Sequence, residues 1–330
     1  MSESEGRRTP APAPAPAHGA TVGIVTVLYH SEKVLEGFFR SLALQRGGPF
    51  AIRLYVIDNS PGDAGSVMSR RLAAEAGIDT TVVFNNANVG VARGNNQGIE
   101  LALADRCSHV LLANNDVEFE AGTIRTLLES LEGSDASAAT PKIHYYDDGR
   151  IWFVQGRFRP WTMQIDHLGI READTAQYDR VNRCDYAPTC FMLFHAAVFA
   201  QVGLMDEQYF VYYDDADFLW RMKRAGKWLK VVPGALVRHK VSTSTGGDFT
   251  PFSIYYSNRN RIYFIRKHLS GLQRLVASAY VLATRVAQAP MLPRPSAMKL
   301  WQGVRDGYGL RIPTAPMLPD GALPNPPTDR

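Results

Sequence analysis

Apolar and polar positions follow a regular rhythm through the first third of the chain. Four apolar runs of strand length are separated by segments whose apolar residues recur at helical spacing. This alternation predicts βαβ units, which build a parallel sheet through right-handed crossovers. The strands are predicted at 21–29, 51–57, 80–84 and 109–116, and the helices at 32–44 (with Ser31 as N-cap), 65–76 and from the 88–98 loop to about 104.

Each of the four predicted strands ends in polar residues. A single cluster of this kind is the ordinary turn that closes a strand. In open α/β sheets, however, ligands bind where the carboxyl ends of parallel strands meet, so four clusters together predict a site. They are Tyr29-His30, Asp58-Asn59-Ser60, Asn85-Asn86 and Asn114-Asn115-Asp116.

The second half of the chain has a less regular pattern. The predicted elements are a helix at 121–131, strands at 139–145 and 151–158, a polar surface loop at 167–185, an apolar run at 191–194 and a short helix to about 201. An amphipathic helix starts at Asp214 and stops at Gly226. A strand follows at 227–232, a Pro233-Gly234 turn comes next, and the segment 235–240 carries His239. A basic, aromatic helical region begins at 252.

Three acidic residues, Asp214, Asp215 and Asp217, lie at the start of the amphipathic helix. One of them can serve simply as a favourable charge at a helix N-terminus. Three acids in one turn repel each other, however, and crowding raises the pKa of a carboxylate, which suits a general base. Further along, His239 has basic neighbours that favour a neutral, metal-binding imidazole; a packed or surface histidine is the alternative.

Composition narrows the class of protein. The chain has 330 residues, of which 45% are hydrophobic and 21% charged, and its formal net charge of +4 does not favour a nucleic-acid binder. Its three cysteines lack zinc-ligand spacing and fit a reducing compartment. Residues 1–20 are predicted to be a disordered Ala/Pro-rich tail without a signal-peptide core, and no apolar run is long enough to span a membrane.

Seven motifs, spread from Val22 to about Phe264, match a known pattern in order and spacing. They are VGIVTVLYH, IDNS, NANVGVARGNNQG, LLANND, VGLMDEQYFVYYDDADFLWRMKRAG, VPGALVRH and YYSNRNRIYF. Together they resemble the inverting nucleotide-sugar glycosyltransferases of GT-A family 2, in particular the bacterial rhamnosyltransferase-like branch.

The resemblance implies an α/β fold of the GT-A type. A Rossmann-like parallel sheet that binds the nucleotide (21–118) is expected to be fused to a smaller mixed sheet on the acceptor side (119–250), and these halves form the catalytic domain. A C-terminal helical extension with a Pro-rich tail is expected at 251–330.

The resemblance also implies a donor site at the sheet edge. Asp58 matches the residue that holds the base or ribose, and the loop around Gly90 lies near the diphosphate. Glycines in such a loop let backbone N–H groups approach phosphate at a helix N-terminus. The residues expected to bind the nucleotide-sugar are Tyr29, Asp58, Asn88, Gly90, Arg93, Asn115 and Asp116.

The catalytic and metal residues follow from the same resemblance. Asp215 matches the catalytic base, and Asp214, Asp217 and Cys190 are expected on the acceptor side. The metal ligands are expected to be Asp116, the last residue of the DxD motif, and His239, with Mg²⁺ or Mn²⁺ shared with the diphosphate.

Two departures from the family pattern are visible. Asn114 stands at the first acidic position of the DxD motif, so metal affinity without the donor should be low. The segment from Thr189 to His195 stands where relatives carry Gly at its start and Arg at its end, which leaves the acceptor open.

The resemblance implies transfer of a hexose, from dTDP-L-rhamnose or a UDP-sugar, to a saccharide or polyprenyl-linked saccharide in cell-surface polysaccharide synthesis. A single displacement with an Asp base inverts the anomeric centre. A cytoplasmic location is expected. The basic C-terminal region is either a helical cap or a patch that contacts the inner face of the membrane. Whether the chain forms a homo-oligomer is open.

Two other functions compete with this one. A nucleotidyltransferase that makes the nucleotide-sugar would need a Gly-rich, basic signature after the first strand, where Tyr29-His30-Ser31-Glu32 stands instead. A non-catalytic module that binds sugar nucleotides or glycans is suggested by Asn114.

Overall fold

A computed structural model describes residues 19–241 and 250–319. Most of the predicted N-terminal tail (1–18) and the last part of the Pro-rich end (320–330) lie outside the described residues. The strands are β1 (Thr21–Leu28), β2 (Ala51–Asp58), β3 (Asp79–Phe84), β4 (His109–Ala113), β5 (Val117–Phe119), β6 (Ala138–Tyr145), β7 (Ile151–Phe153), β8 (Gln155–Phe158), β9 (Ile165–Leu168), β10 (Arg183–Cys184), β11 (Phe191–His195) and β12 (Leu229–His239). The helices are α1 (Glu32–Ala43), α2 (Ala64–Ala76), α3 (Val91–Ala104), α4 (Thr123–Glu132), α5 (Ala197–Val202), α6 (Asp214–Arg224), α7 (Pro251–His268), α8 (Gly271–Gln288) and α9 (Arg294–Gly309).

One mixed sheet organises the described residues. It has ten strands, eight of them in the order β10-β12-β6-β11-β4-β1-β2-β3, while β5 pairs with β12 and β7 with β6. The strands β3, β2, β1 and β4 are parallel, as predicted. β11 runs antiparallel between β4 and β6, and β12 runs parallel to β6. A parallel half and a mixed half therefore share one continuous sheet.

Burial explains why the first strands could be found from sequence. β4 is buried along its whole length, and β1 is buried at six of its eight positions, so both are continuous apolar runs. α1 presents one apolar face that includes Leu35, Phe38 and Leu42, each with no exposed surface. Ser31 occupies the N-cap position of α1 as predicted, but its hydroxyl accepts a hydrogen bond from the Tyr29 N–H (3.1 Å) and makes no capping hydrogen bond to the helix.

The prediction that the strand ends at a Pro233-Gly234 turn is wrong. β12 is one strand with a bulge: Val232 pairs with Pro141 and Leu236 pairs with Lys142, so β12 advances four residues while β6 advances one. Pro141 has no N–H for the ladder, and irregular pairing is tolerated beside it. Similarly, the strand predicted at 151–158 is divided into β7 and β8, and the latter pairs with β9 in a separate two-stranded sheet.

Between residues 250 and 319, the C-terminal region contains three α-helices. α7 and α8 agree with the predicted helical region, but α9 was not predicted from the sequence. Glycines let α9 lie against α7, because a Cβ added at Gly303 or Gly307 would collide with the backbone carbonyl of Tyr255 or Arg259. Within the described residues, no helix has both the length and the apolar character required to cross a bilayer.

A buried carboxylate joins α6 to α7. Asp217 has no exposed surface, and its Oδ2 accepts a hydrogen bond from Nε of Arg221 at 2.8 Å. Its Oδ1 lies 2.7 Å from both Nζ of Lys267 and Nε2 of His268 on α7. Burial alone would raise the pKa of Asp217, but these cationic partners outweigh it and hold that pKa below its usual range. The Asp217 cluster therefore fixes the two helices against each other.

Replacing Asp217 with Asn should destabilise the protein by about 3 kcal/mol, because Arg221 and Lys267 would be left near a neutral amide. Urea unfolding at pH 7 measures this loss. Asp79→Asn is the matched control, since Asp79 has 71% of its side chain exposed and pairs with Arg53 at the surface; it should cost at most about 1 kcal/mol.

The same pair of variants has a pH signature. A carboxyl with a lowered pKa in the folded state contributes stability that is present above the unfolded pKa, about 4, and is lost as the pH falls through the folded pKa. The stability gap between wild type and D217N should therefore be constant near neutrality and shrink below about pH 4. A gap that is equally large at pH 3 would contradict an ionised Asp217.

Candidate active site

Asp116 and His239 meet at the carboxyl end of β4. Asp116 follows β4, and His239 is the last residue of β12; both are buried. Nε2 of His239 lies 3.2 Å from Oδ1 of Asp116, and the backbone N–H of Lys240 donates to the Asp116 carbonyl at 2.9 Å. Next to them, Asn115 donates through Nδ2 to the Val27 carbonyl at 2.7 Å, which holds the β4 loop against β1.

The donor set of Asp116 and His239 fits a divalent cation. Neighbouring ligands of an octahedral ion that sit about 2.1 Å from it lie about 3 Å apart, which is close to the observed spacing of the two atoms. The carboxylate oxygen suits both Mg²⁺ and Mn²⁺, whereas the imidazole nitrogen suits a transition-metal ion such as Mn²⁺ better than Mg²⁺, which prefers oxygen ligands. Asn114, at the missing acidic position, is exposed, so further oxygen ligands would have to come from the diphosphate or water.

A second group of metal-ligand types lies elsewhere. Ligand atoms of His109, Glu132 and His195 lie within 4.8 Å of one another. Burial and the neighbouring His195 lower the pKa of His109 to about 4, so its ring is neutral at pH 7. His109 begins β4 whereas Asp116 follows its end, so this group occupies the opposite edge of the sheet from the Asp116–His239 pair.

The glycine-rich loop before α3 is packed against the segment that precedes α6. Gly90 has a φ of 88°, and a Cβ there would lie 2.7 Å from the Phe210 carbonyl oxygen. The Gly90 N–H donates to Oδ1 of Asn88 at 3.1 Å, and the Val91 N–H donates to the Phe210 carbonyl at 2.7 Å. These two N–H groups therefore have protein acceptors, and the tight contact explains why only glycine fits at position 90.

The other predicted donor residues are spread around this loop. Asp58 is completely buried beneath the turn after β2, where its two oxygens accept from the Ser60 N–H (3.0 Å) and the Ser66 hydroxyl (2.7 Å). Tyr29 is 36% exposed at the end of β1. Arg93 is also exposed, with Nε 3.9 Å from Oε2 of Glu207. Asp58 thus shapes the site, while Tyr29 and Arg93 offer side chains at its surface.

Asp215 lies at the start of α6 with its carboxylate held at both oxygens. The Tyr186 hydroxyl donates to Oδ2 at 2.8 Å, and the Ala216 N–H donates to Oδ1 at 2.7 Å. Burial raises the pKa of Asp215, and these two hydrogen bonds oppose the rise. The neighbouring Asp214 is buried too, and its burial together with the charge of Asp215 raises its pKa well above the usual range. This pair is suited to holding and releasing a proton near neutral pH.

The backbone before Asp215 is strained. Tyr212 and Tyr213 have φ values of 63° and 68°, in the left-handed region that side chains with a Cβ rarely occupy. Asn260 of α7 is completely buried and donates through Nδ2 to the carbonyls of Val211 (2.7 Å) and Tyr212 (2.8 Å). Such conformations cost of order 1–3 kcal/mol each and persist only where the surroundings enforce them, commonly at functional sites.

A cavity of about 370 Å³ opens beside Asp215. It is lined by Gln164, Ile165, Tyr186, Tyr212, Tyr213, Asp215, Ala216, Ser257 and Arg261. Cys190 lies beside the end of β4, where its carbonyl accepts a hydrogen bond from the Asn114 N–H at 2.8 Å. Burial, and then the charges of Asp116 and Asp215, raise the pKa of its thiol well above the usual range.

The structure brings some predicted residues together and leaves others apart. Asp116 and His239 meet at the end of β4, Asp215 borders the cavity, and Asp214 is its buried neighbour. Asp217, expected on the acceptor side, lies instead in the Asp217 cluster and does not line the cavity.

Sequence reasoning missed two residues of the cavity wall. Tyr186 follows directly on a stretch predicted to be surface loop, and its partner Asp215 is 29 residues away. Arg261 was one of many basic residues in the C-terminal region. Neither had a local signal, because each takes its place through long-range packing.

The class of protein follows from this geometry and from comparison. The model of the family "Glycosyl transferase family 2" matches residues 23–199, more than half of the chain. The chain therefore belongs to glycosyl transferase family 2, and it is a glycosyltransferase. This confirms the resemblance drawn from the seven motifs.

Two curated relatives come from Mycobacterium tuberculosis. The N-acetylglucosaminyl-diphospho-decaprenol L-rhamnosyltransferase is 27% identical over 271 residues, which cover 74% of this chain and 84% of the relative. The Galactofuranosyltransferase GlfT1 is 24% identical over 268 residues, covering 76% and 83%. The rhamnosyltransferase-like branch expected from the sequence is thus represented among the relatives.

Solved structures confirm the GT-A fold. The structure of GalNAc-T7 with UDP, GalNAc and Mn²⁺ has a TM-score of 0.60 at 14% identity, and the match covers 89% of this chain but only 55% of that one. The mannosyltransferase PcManGT from Pyrobaculum calidifontis, in complex with GDP-Man and Mn²⁺, has a TM-score of 0.54 at 14% identity, with 91% and 84% covered.

Proposed function

We propose that this glycosyltransferase inverts the anomeric centre of a hexose that it transfers from a nucleotide-sugar, dTDP-L-rhamnose or a UDP-sugar, to a saccharide or lipid-linked saccharide. The proposed setting is the synthesis of a cell-surface polysaccharide. The observation that carries the proposal is the position of Asp215, a carboxylate that borders a cavity and accepts a hydrogen bond from Tyr186, together with the Asp116–His239 pair at the carboxyl end of β4. The mycobacterial relative, which is named as an N-acetylglucosaminyl-diphospho-decaprenol L-rhamnosyltransferase, supports this donor and acceptor class.

The reaction needs a base on one side of the sugar and charge stabilisation on the other. The acceptor hydroxyl oxygen attacks the anomeric carbon, its proton passes to Asp215, and the bond from that carbon to the diphosphate oxygen breaks. The raised pKa of Asp215 suits this task, because a higher pKa makes the carboxylate a stronger base towards the acceptor proton. Tyr186, which donates to Oδ2, positions the base and stabilises its ionised form.

Asp116 and His239 would hold a divalent cation, Mg²⁺ or Mn²⁺, in this mechanism. Such an ion supplies Lewis-acid stabilisation of the diphosphate that leaves. The Trp152 ring packs edge-on against His239, with ring centroids 4.5 Å apart, and restricts the orientation of the imidazole.

Asp215→Asn should lower kcat by about 10³-fold, because an amide cannot accept the proton. Thermal stabilisation by UDP or dTDP with Mn²⁺ should persist, since the nucleotide site is unchanged. Initial rates of transfer from a panel of dTDP-, UDP- and GDP-sugars measure the first effect. Near-normal turnover by D215N would contradict the role of the base, and release of pyrophosphate from a nucleoside triphosphate by wild type would indicate the nucleotidyltransferase instead.

Tyr186→Phe provides the companion variant. Removing the hydroxyl removes a hydrogen bond that lowers the pKa of Asp215, so that pKa should rise further. Activity rises with pH as the base loses its proton, and the acid limb of the kcat/KM profile should therefore move to higher pH. An unchanged limb in Y186F would mean that Asp215 does not set it.

His239→Ala should raise the Mn²⁺ concentration needed for half-maximal activity by about 10-fold or more, because one of two protein ligands is lost. Electron paramagnetic resonance of Mn²⁺ in the presence of UDP measures binding independently of turnover. His195→Ala is the control, since His195 belongs to the group at the opposite edge of the sheet. Equal loss of Mn²⁺ binding in both variants would contradict the assignment.

The C-terminal helices support a further part of the proposal, contact with an anionic membrane surface. α8 exposes a continuous apolar stripe. Its main members are Leu272, Leu275, Leu282 and Val286, which are 64%, 66%, 36% and 62% exposed. Residues 250–319 also carry eight arginines and two lysines against the single carboxylate of Asp306. An apolar helix face with surrounding positive charge fits the interface of an anionic bilayer.

The double variant Leu275→Glu/Val286→Glu should lose sedimentation with vesicles that contain phosphatidylglycerol, while wild type binds them and does not bind pure phosphatidylcholine. Val67→Glu is the control, because Val67 is 59% exposed on α2. If the double variant instead changes only the oligomeric state, measured by light scattering, the stripe covers a second copy of the chain and the membrane proposal fails.

A further inference from the structure

A buried arginine from α7 faces the cavity that Asp215 borders. Arg261 lines this cavity and is only 8% exposed. One of its terminal nitrogens donates to the Thr162 carbonyl at 3.4 Å, a long hydrogen bond. Its Nε is buried and has no hydrogen-bond partner in the described part of the chain. Most of the donor capacity of this guanidinium is therefore unused by the described protein groups.

A second arginine lies beside it. Burial, and then the positive charge of Arg261, lower the pKa of Arg285 on α8, and Arg261 also reaches this helix at the ring of Tyr280. Nη1 of Arg285 donates to Oε1 of Gln288 at 2.7 Å, while its Nε is also buried without a partner among residues 19–241 and 250–319. Within those same ranges, neither arginine forms an ion pair with a carboxylate.

Two cations without a counter-charge cost free energy of folding when they are partly buried. The transfer of a charge out of water is repaid only when an opposite charge and hydrogen bonds compensate for it. Arg261 lies 5.9 Å from the centroid of the Tyr280 ring, but such a contact at this distance does not neutralise the charge. The arrangement therefore lacks an anion. Because the guanidinium fork matches the oxygens of phosphate in a bidentate manner, phosphate chemistry fits it best.

We propose that Arg261, assisted by Arg285, binds a phosphate or diphosphate group of the acceptor beside Asp215. This inference rests on the proposed function and specifies its acceptor as an anionic, phosphate-bearing one. The donor diphosphate has its own candidate site at Asp116 and His239. α8, the helix that carries Arg285, also has the exposed apolar stripe on its outer face. A lipid attached to the phosphate would therefore have an apolar surface nearby.

Binding of geranyl diphosphate, a soluble prenyl diphosphate, to the full-length chain tests the inference by calorimetry. Arg261→Gln should weaken this binding by at least about 10-fold, as expected for the loss of charge-assisted hydrogen bonds. Arg285→Gln should weaken it less, by about 3-fold, because Arg285 does not line the cavity. Arg274→Gln is the matched control, since Arg274 is an exposed arginine on the same helix, and it should bind like wild type.

A second titration, of UDP with Mn²⁺, shows whether the arginines bind the phosphate of the acceptor or that of the donor. All three variants should bind UDP like wild type. A loss of UDP affinity in R261Q would assign the arginines to the donor diphosphate and overturn the inference. The inference is also overturned if R261Q binds geranyl diphosphate as tightly as wild type does, or if wild type does not bind it. Arg261→Lys, which keeps the charge, should recover part of the affinity, and this separates recognition from a folding defect.

The proposed function fails in a different way. If wild type binds neither UDP nor dTDP and transfers no sugar, the donor assignment is wrong whatever happens with geranyl diphosphate. If donor binding is normal but the arginine variants bind geranyl diphosphate like wild type, the donor assignment stands and the acceptor inference is wrong.

Discussion

The carboxylate of Asp217 is the interaction on which the site depends. It lies inside the protein with cationic partners from α6 and α7, so neither helix can move away without leaving charges unpaired in a medium that solvates them poorly. Asp215 lies two residues upstream on the same helix turn. Its direction towards the cavity is therefore set by an ion cluster that takes no part in the chemistry.

The helices that follow residue 250 are part of the site. Asn260 of α7 donates to the carbonyls of Val211 and Tyr212, and the left-handed residues Tyr212 and Tyr213 lead directly into the start of α6 beside the cavity. The same helix contributes Ser257 and Arg261 to the cavity wall. In physical terms, α7 supplies the hydrogen bonds that balance local backbone strain, and it encloses the volume in which an acceptor hydroxyl would meet the base.

The parallel strands, their helices and the polar strand ends could be predicted because each depends on local apolar spacing. The meeting of Asp116 with His239 could also be expected, but only through motif resemblance. The continuous β12, the glycine-mediated packing of α9, and the placement of Tyr186, Arg261 and Asp217 depend on partners far away in sequence. A Pro-Gly pair in particular is ambiguous, because the same two residues end a strand in one context and form a bulge in another.

The bulge in β12 has a consequence for how this protein can change over time. Successive residues of a strand point to opposite faces, so a shift by a single residue would turn His239 away from Asp116. The bulge adds three residues to β12 between Val232 and Leu236, and the register that follows it places His239 next to Asp116. Substitutions at Pro233 or Gly234 are therefore a smaller disturbance than the gain or loss of one codon there. The number of residues in this stretch therefore matters more for the position of His239 than their identity.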